Sequence, residues 1–262
     1  MPSQIIKEGK GSIKTLKFSC VMKKVSIVMG MALLGMGMSH EVKAEEPTST
    51  VKLEVGADLV SSYIWRGQDC AGFSVQPAAT LSFEKAGLSL GAWASVELMA
   101  ENAWANMSEF DLALAWNKGG LTVGLTDYNF CGDTYFSGWK FNCEASHNLE
   151  ANLAYDFGKV ALAWNTVLTG ADHRINDKGE VVRNYSTYVE ASAPWKIGDI
   201  EGSAAIGASL WDDAFTAAGT EGFKVCNIAL TATKEIFSLP FSASVIANPQ
   251  KDKVFFVVGV SF

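Results

Sequence analysis

The sequence has little of what several functional classes need. Only 19% of its residues are charged, and acidic residues outnumber basic ones by 28 to 21, which argues against nucleic-acid binding through a basic surface. The chain has three histidines, no CxxC pair and no histidine-rich spacing, so nothing suggests zinc. Glycine-rich phosphate-binding loops are also missing. We therefore expect neither a metal nor another cofactor.

Long apolar runs are scarce as well. The run near the N-terminus, residues 25–38, is shorter than the roughly 18 residues that a membrane-spanning helix needs. It follows Lys23 and Lys24 and precedes a Val-Lys-Ala tripeptide ending at Ala44, the small-residue pattern of a signal-peptide cleavage site. We predict a secretory signal that is cleaved after Ala44, with translation starting at Met22.

Cleavage would leave an acidic chain. Without residues 1–44, 14 basic and 26 acidic residues remain, a net charge of −12. This charge argues against electrostatic binding to anionic lipid or nucleic acid. A lipid anchor on Cys20 is the alternative N-terminal processing, but no apolar run precedes this cysteine. The predicted mature chain has a short periplasmic segment, residues 45–50, and a single domain, residues 51–262.

Alternation of apolar and polar residues dominates this domain. In residues 149–157, Leu, Ala, Leu, Tyr and Phe alternate with Glu, Asn, Ala and Asp, and residues 200–210 and 254–262 follow the same period. A period of two is typical of β-strands with one apolar face. The pattern predicts about twelve strands, near 51–66, 74–84, 87–98, 108–117, 120–130, 147–157, 159–169, 184–195, 199–211, 222–235, 238–247 and 253–262.

Strand length and connection length both favour a membrane barrel. Most predicted strands have ten to thirteen residues, whereas strands average about five or six residues in soluble proteins and about nine to eleven in membrane barrels. Short turns alternate with long polar loops at 99–107, 131–146, 170–183 and 212–221. We predict an all-β fold: a transmembrane, antiparallel up-and-down β-barrel with short periplasmic turns and longer extracellular loops.

Aromatic residues stand at the ends of the predicted strands. Rings with a polar edge are favoured where hydrocarbon meets lipid headgroups, so we interpret these rings as girdles that contact outer-membrane lipid. Packing inside a soluble barrel or sandwich, with the apolar face inward, is the alternative. The girdle candidates are Tyr63 and Trp65 at the long-loop rim, and Phe83, Trp116, Phe157, Trp195 and Phe262 at the opposite rim.

Several segments resemble a known family. They are DLVSSYIWRGQ (58–68), GLTDY (124–128), STYVEASAPWKIG (186–198) and VIANP (245–249). They are similar to the TorF-type porins, a family of outer-membrane proteins, in versions from Bacteroides-like bacteria, and the similarity extends over residues 51–262. The resemblance implies a barrel in the outer membrane of a Gram-negative bacterium, with a poorly defined function. Phe262 resembles the C-terminal aromatic signal that the barrel-assembly machinery reads.

If the apolar face meets lipid, the opposite face lines a lumen. Acidic residues outnumber basic ones on that face, which favours cations or neutral solutes. We expect Arg66 to pair with an inward acid near the long-loop rim, such as Glu97; clamping an anion is its alternative role. The lumen-lining candidates are Glu54, Asp58, Arg66, Glu97, Asp111, Glu150, Asp156, Glu190 and Glu201.

Four cysteines remain after signal cleavage, and an even number in an exported chain suggests disulfides. Cys131 and Cys143 bracket the long loop after the fifth predicted strand. A bond between them is predicted to stabilise the protein by about 3 kcal/mol in the chain-entropy model. Cys70 and Cys226 fall near the same rim, and their redox state stays open.

The sequence favours passage of small solutes over catalysis. An outer-membrane lipase or acyltransferase needs a serine, a histidine base and an orienting group. Ser146 and His147 are neighbours in the chain, and neighbours in a strand point to opposite faces. We predict a porin-like passive channel with a weak cation preference. A structural or surface-recognition barrel with a filled lumen is the main alternative, and a lipid-modifying enzyme is a further one.

Overall fold

The computed structural model describes residues 51–99, 109–130, 147–176, 178–211 and 222–262. Every regular element in these ranges is a β-strand. In chain order the strands are β1 (Lys52–Val60), β2 (Tyr63–Trp65), β3 (Gln68–Ala71), β4 (Ser74–Phe83), β5 (Leu88–Glu97), β6 (Glu109–Lys118), β7 (Leu121–Asn129), β8 (His147–Asp156), β9 (Ala161–Gly170), β10 (His173–Ile175), β11 (Val181–Arg183), β12 (Thr187–Ile197), β13 (Ile200–Ser209), β14 (Lys224–Ile236), β15 (Leu239–Asn248) and β16 (Lys253–Ser261). Helices long and apolar enough to cross a membrane are not found in these ranges.

Twelve of these strands form a closed antiparallel barrel, which confirms the predicted fold class. Each wall strand pairs with the wall strands before and after it in the chain, and β1 closes the barrel by pairing with β16. The closing seam has three residue pairs in register, from Asp58↔Ser261 to Val60↔Gly259. Two short hairpins, β2–β3 and β10–β11, pair only within themselves.

The apolar face of each wall strand points out of the barrel. Residues directly opposite each other in an antiparallel pair share a face, so the register assigns every wall residue to one side. On the outer side, Val55 is 75% exposed and Phe256 is 76% exposed. On the inner side, Asp58 and Gln76 lie opposite each other and are both buried. This arrangement excludes the soluble-barrel alternative, which needs the apolar face inside.

The inner face changes character along the barrel axis. Near the short turns it carries small side chains: Ser82, Ser89, Ala115 and Gly124 follow one another across four strands in register. Near the other rim it carries the large rings of Trp93, Tyr128 and Tyr188 and most of the buried acids. The turn-side half of the interior is therefore wider than the loop-side half.

The turn between β14 and β15 gives a test of local backbone strain. Phe237 and Ser238 both have positive φ, 51° and 64°, as a two-residue type I′ turn requires. We expect Ser238→Gly to raise the free energy of unfolding by about 0.5 kcal/mol, because the relief of about 1–2 kcal/mol of left-handed strain exceeds the added chain entropy of about 0.5–1 kcal/mol. Denaturant unfolding of the folded barrel measures this difference.

The matched control is Ser242→Gly, on the extended strand that follows the turn. It removes no strain, so it should lower the free energy of unfolding by about 0.5–1 kcal/mol. Equal effects of the two glycines would contradict the turn geometry.

Candidate functional site

The segment between β1 and β4 folds into the barrel instead of extending its wall. The first strand was predicted over residues 51–66, but β1 ends at Val60. The chain then forms the β2–β3 hairpin, whose tip consists of Arg66 and Gly67, both with positive φ (49° and 73°). The tight turn at Arg66 and Gly67 reverses the direction of the chain, so this segment stays inside the barrel. We refer to residues 61–73 as the lumen hairpin.

The tip of the lumen hairpin contacts β15 and β14, which follow β16 on one side of β1 in the barrel. The Nδ2 atom of Asn248 on β15 donates a hydrogen bond of 3.0 Å to the carbonyl oxygen of Gly67. A Cβ atom at Gly67 would lie 2.1 Å from the carbonyl oxygen of Cys226 on β14. Only glycine fits this close approach with positive φ. The side chain of Lys251 also donates to Gln68.

A buried ion pair holds the tip on the opposite side. Arg66 donates through Nη1 and Nη2 to the two carboxylate oxygens of Glu150 on β8, at 2.7 and 2.9 Å. Both side chains are almost fully buried, 4% and 0% exposed. Burial alone would lower the pKa of this guanidinium, but the charge of Glu150 and its hydrogen bonds outweigh it and raise the pKa above its ordinary value. Arg66 therefore remains a cation inside the barrel.

Further groups contact both partners of this pair. Glu150 also accepts hydrogen bonds from the Tyr128 hydroxyl at 3.1 Å and from Nδ2 of Asn152 at 2.7 Å. The guanidinium of Arg66 lies 4.4 Å from the ring centre of Trp65 and 4.6 Å from that of Tyr188. Cation–π contacts of this kind strengthen when they are removed from water.

Polar side chains extend the network around the wall. The Tyr188 hydroxyl donates to Glu190, and Nδ2 of Asn227 donates to Tyr188 at 3.0 Å. On the other flank, Nδ2 of Asn152 donates to Asn165 at 2.9 Å. Strands β8, β9, β12 and β14 together surround the hairpin tip with hydrogen-bonding groups.

The base of the lumen hairpin packs on the near wall. Tyr63 contacts the Trp93 ring edge-on, with 5.3 Å between ring centres, and Ala71 joins this buried cluster. The backbone N–H of Gly72 donates to Glu97 at 3.0 Å. The expectation that Arg66 pairs with Glu97 is therefore wrong: Glu97 holds the base of the hairpin, while Arg66 reaches Glu150 across the lumen.

The girdle assignment of Tyr63 and Trp65 is also wrong. Tyr63 is 5% exposed, and Trp65 lies between Arg66 and the Tyr128 ring, 5.3 Å from the latter. Both rings lie inside the barrel because β1 ends at Val60 and the residues after it form the lumen hairpin. At the turn-side rim, Trp116, Phe157 and Phe262 are exposed on the outside, whereas Phe83 and Trp195 are half-buried.

The other lumen candidates lie on the inner face of the wall. Glu54 and Glu201 are half-exposed and pair with Lys52 and Lys196, both at 2.6 Å. The buried acids are Asp58, Asp111, Glu150 and Glu190, and Asp156 lies at the turn-side end of β8. Sequence reasoning missed a further buried acid, Glu109, although it shares the parity of Asp111 on β6.

The cysteine and histidine candidates are placed only in part. Cys131 and Cys143 lie outside the described residues. Cys70 is exposed on the lumen hairpin and Cys226 is buried in β14, and both are free thiols. His147 Nδ1 lies 2.9 Å from the carboxylate oxygens of Asp127.

Comparison with known proteins identifies a family whose function is unknown. Residues 44–235 match the family Gcw_chp, described as a bacterial protein of unknown function. The chain belongs to this family. No curated protein matches.

Two solved structures are similar to this chain. One is a triple mutant of the Rhodopseudomonas blastica porin, 14% identical over 82% of this chain and 73% of the porin, with a TM-score of 0.40. The other comes from a structure titled "Asymmetric conductivity of engineered proteins", 15% identical over 71% of this chain and 55% of that one, with a TM-score of 0.37.

A variant of Arg66 tests whether the ion pair with Glu150 holds the lumen hairpin against the barrel wall. Arg66→Ala leaves Glu150 buried without its cation, which typically costs about 3–5 kcal/mol. We expect the lumen hairpin to detach from the barrel wall. Brief chymotrypsin treatment should then cleave after Tyr63 and Trp65, where the wild type is protected. Mass spectrometry of the fragments identifies the cleavage sites.

The matched control removes an exposed ion pair on the same inner face. Lys196→Ala breaks the contact with Glu201, and exposed pairs contribute at most about 1 kcal/mol. This variant should show the wild-type cleavage pattern. Continued protection of Tyr63 and Trp65 in Arg66→Ala would show that the ion pair does not hold the hairpin.

Proposed function

We propose that the protein is a porin-like passive channel for small solutes, with a weak cation preference, in the outer membrane of a Gram-negative bacterium. The observation that carries the proposal is a closed barrel with an apolar outside and a polar, acidic inside. Export by a signal peptide cleaved after Ala44 is part of the same proposal. The resemblance to TorF-type porins of Bacteroides-like bacteria supports it.

The outer surface is suited to lipid. Large apolar side chains are exposed on every wall strand except β4, and they include Leu53, Leu90, Leu114, Leu153, Ile206 and Leu230. In water such a continuous apolar surface would promote aggregation, whereas closure leaves no unpaired strand edge to hydrocarbon. Phe262 is exposed at the turn-side rim, where we propose that the barrel-assembly machinery binds it.

The inner surface is suited to cations. Besides the buried acids, Glu54, Glu97 and Asp156 lie on the inner face, which carries fewer basic groups. Acidic groups in a narrow, low-dielectric pore attract cations and repel anions. The lumen hairpin narrows the loop-side half, so we propose that it sets the size limit for solutes.

The lumen hairpin held inside the barrel also favours the second candidate, a structural or surface-recognition barrel with a filled lumen. A bidentate ion pair buried between hairpin and wall is a firm attachment, and it is compatible with a closed pore. The two candidates differ in whether the wild-type barrel conducts ions. We propose no catalytic step for either.

The lipid-facing surface can be tested on β13. Ile206 is exposed on the outer face, and its chain neighbour Ala205 lies on the inner face. Ile206→Arg should lower the free energy of unfolding by about 2–4 kcal/mol, because it places a charge in hydrocarbon. Ala205→Arg is the matched control, since its guanidinium reaches the lumen. Denaturant titration of barrels folded into lipid vesicles measures both, and equal losses would contradict the orientation.

Planar-bilayer recording tests the channel. We expect the wild type to conduct with a reversal potential that shows cation preference. The preference should shrink at high salt, where the Debye length falls to about 3 Å at 1 M. Glu54→Gln combined with Asp156→Asn should weaken it. Glu54 and Asp156 are chosen because Glu97 and Glu190 hydrogen-bond to the lumen hairpin and to Tyr188. Changing Glu97 or Glu190 would also alter how the hairpin is held.

Replacing residues 62–72 by a short glycine–serine linker separates the two candidates. An open channel should conduct in the wild type and conduct several-fold more without the hairpin. A wild type that is silent while the linker variant conducts would overturn the channel and support the filled-lumen barrel. An anion-selective wild type would contradict the assignment of the acidic face to the lumen.

A further inference from the structure

Two buried carboxyl groups stand side by side on the inner wall, apart from the Arg66–Glu150 pair. Glu109 and Asp111 are two residues apart on β6 and point to the same face. They are 3% and 4% exposed. Trp93 lies directly opposite Asp111 on β5, and Tyr63 of the lumen hairpin packs on the Trp93 ring.

No basic side chain in the described part of the chain neutralises this pair. The ion pairs there join Lys52 to Glu54, Arg66 to Glu150, Lys196 to Glu201 and Lys234 to Asp199, and the His147 ring contacts Asp127. Burying one carboxylate without a partner costs several kcal/mol. Burying two next to each other adds their mutual repulsion. The pair is therefore stable only with a bound proton or a bound cation, because these side chains supply no positive charge.

A third oxygen completes the cluster. Ser95 lies directly opposite Glu109 on β5, and side chains in such positions are separated by about 4.5–5.5 Å between Cβ atoms. Ser95 is fully buried, and its Oγ atom has no hydrogen-bond partner. The same holds for Oε1 of Glu109 and Oδ1 of Asp111. Three buried oxygen atoms without partners thus lie on one face of two adjacent strands.

We propose that Glu109, Asp111 and Ser95 bind a divalent hard cation such as Ca²⁺ between the wall and the lumen hairpin. Two carboxylates balance a divalent charge, and oxygen-only donor sets suit Ca²⁺, which accepts hydroxyl, carbonyl and water oxygens in irregular geometry. In the described residues no three histidine, cysteine or acidic side chains converge on one point, so the serine hydroxyl is the third protein ligand. This site does not depend on whether the barrel conducts.

A bound cation would also fasten the base of the lumen hairpin. Tyr63 packs on the Trp93 ring, which lies opposite Asp111, so neutralising the two acids removes the repulsion next to the base of the hairpin. The cation would hold the base of the hairpin at β5 and β6, while Arg66 holds its tip at β8. The two attachments lie on different parts of the wall.

Calorimetric titration of the folded, full-length mature barrel in detergent with CaCl₂, and separately with MgCl₂, tests the site. We expect saturable binding of one ion by the wild type. Glu109→Gln combined with Asp111→Asn should abolish it, whereas Glu54→Gln combined with Asp156→Asn, which neutralises two inner-face acids away from the cluster, should leave it unchanged. Resistance to unfolding by SDS shows that each variant is folded.

A milder pair of variants covers the case in which the double neutralisation prevents folding. Ser95→Ala should weaken the affinity at least about tenfold, equivalent to about 1.4 kcal/mol. Ser89→Ala, on the same face of the same strand nearer the turns, should not. No saturable binding by the wild type, or equal binding by Ser95→Ala and Ser89→Ala, would overturn the proposal; the two carboxyl groups would then share a proton.

Discussion

The arrangement inside the barrel depends on the ion pair between Arg66 and Glu150. An unpaired guanidinium in this interior would cost several kcal/mol, and so would removing the cation from beside a carboxylate as deeply buried as Glu150. The pair meets both needs with two parallel hydrogen bonds. It joins a hairpin that follows β1 to β8, on the opposite side of the barrel. The loop-side half of the interior is organised around this attachment.

In this barrel the apolar faces point outward, whereas in a soluble barrel they point inward. Buried polar groups such as this pair therefore take the place of an apolar core. With the apolar side chains outside, the interior has to be built from polar and small residues. Large buried polar groups are stable only where their hydrogen bonds are satisfied. Asn152, Asn165, Asn227 and Tyr188 supply these bonds around the hairpin tip. The turn-side half avoids the problem because its inner face is made mostly of serine, glycine and alanine.

The excess of acids inside the barrel connects the proposed channel with the proposed cation site. Of the buried acids, Glu150 pairs with Arg66, while Glu109 and Asp111 have no basic neighbour among the described residues. Both situations place negative charge where solvent screening is weak. The same charge that would favour cations in the lumen therefore creates the demand for a bound cation at β6.

The sequence by itself determined the number of wall strands, their approximate bounds and which face of each points outward. These follow from a period of two, a local property that each strand carries in its own residues. The end of β1 was predicted six residues too late, at residue 66, because Tyr63 and Trp65 continue the alternation past the point where the chain turns. The turn at Arg66 and Gly67 was not predicted, because a positive φ at arginine is uncommon.

Only the tertiary structure decided where the lumen hairpin lies and which partner Arg66 takes. Glu150 is 84 residues away in the chain, and it comes within reach only after the barrel has closed. Period and spacing contain no information on contacts across a lumen, because the inner faces of all strands look alike from their own sequences. The choice among the inward acids was made by the length of the hairpin and by the wall strand that closure placed opposite β1.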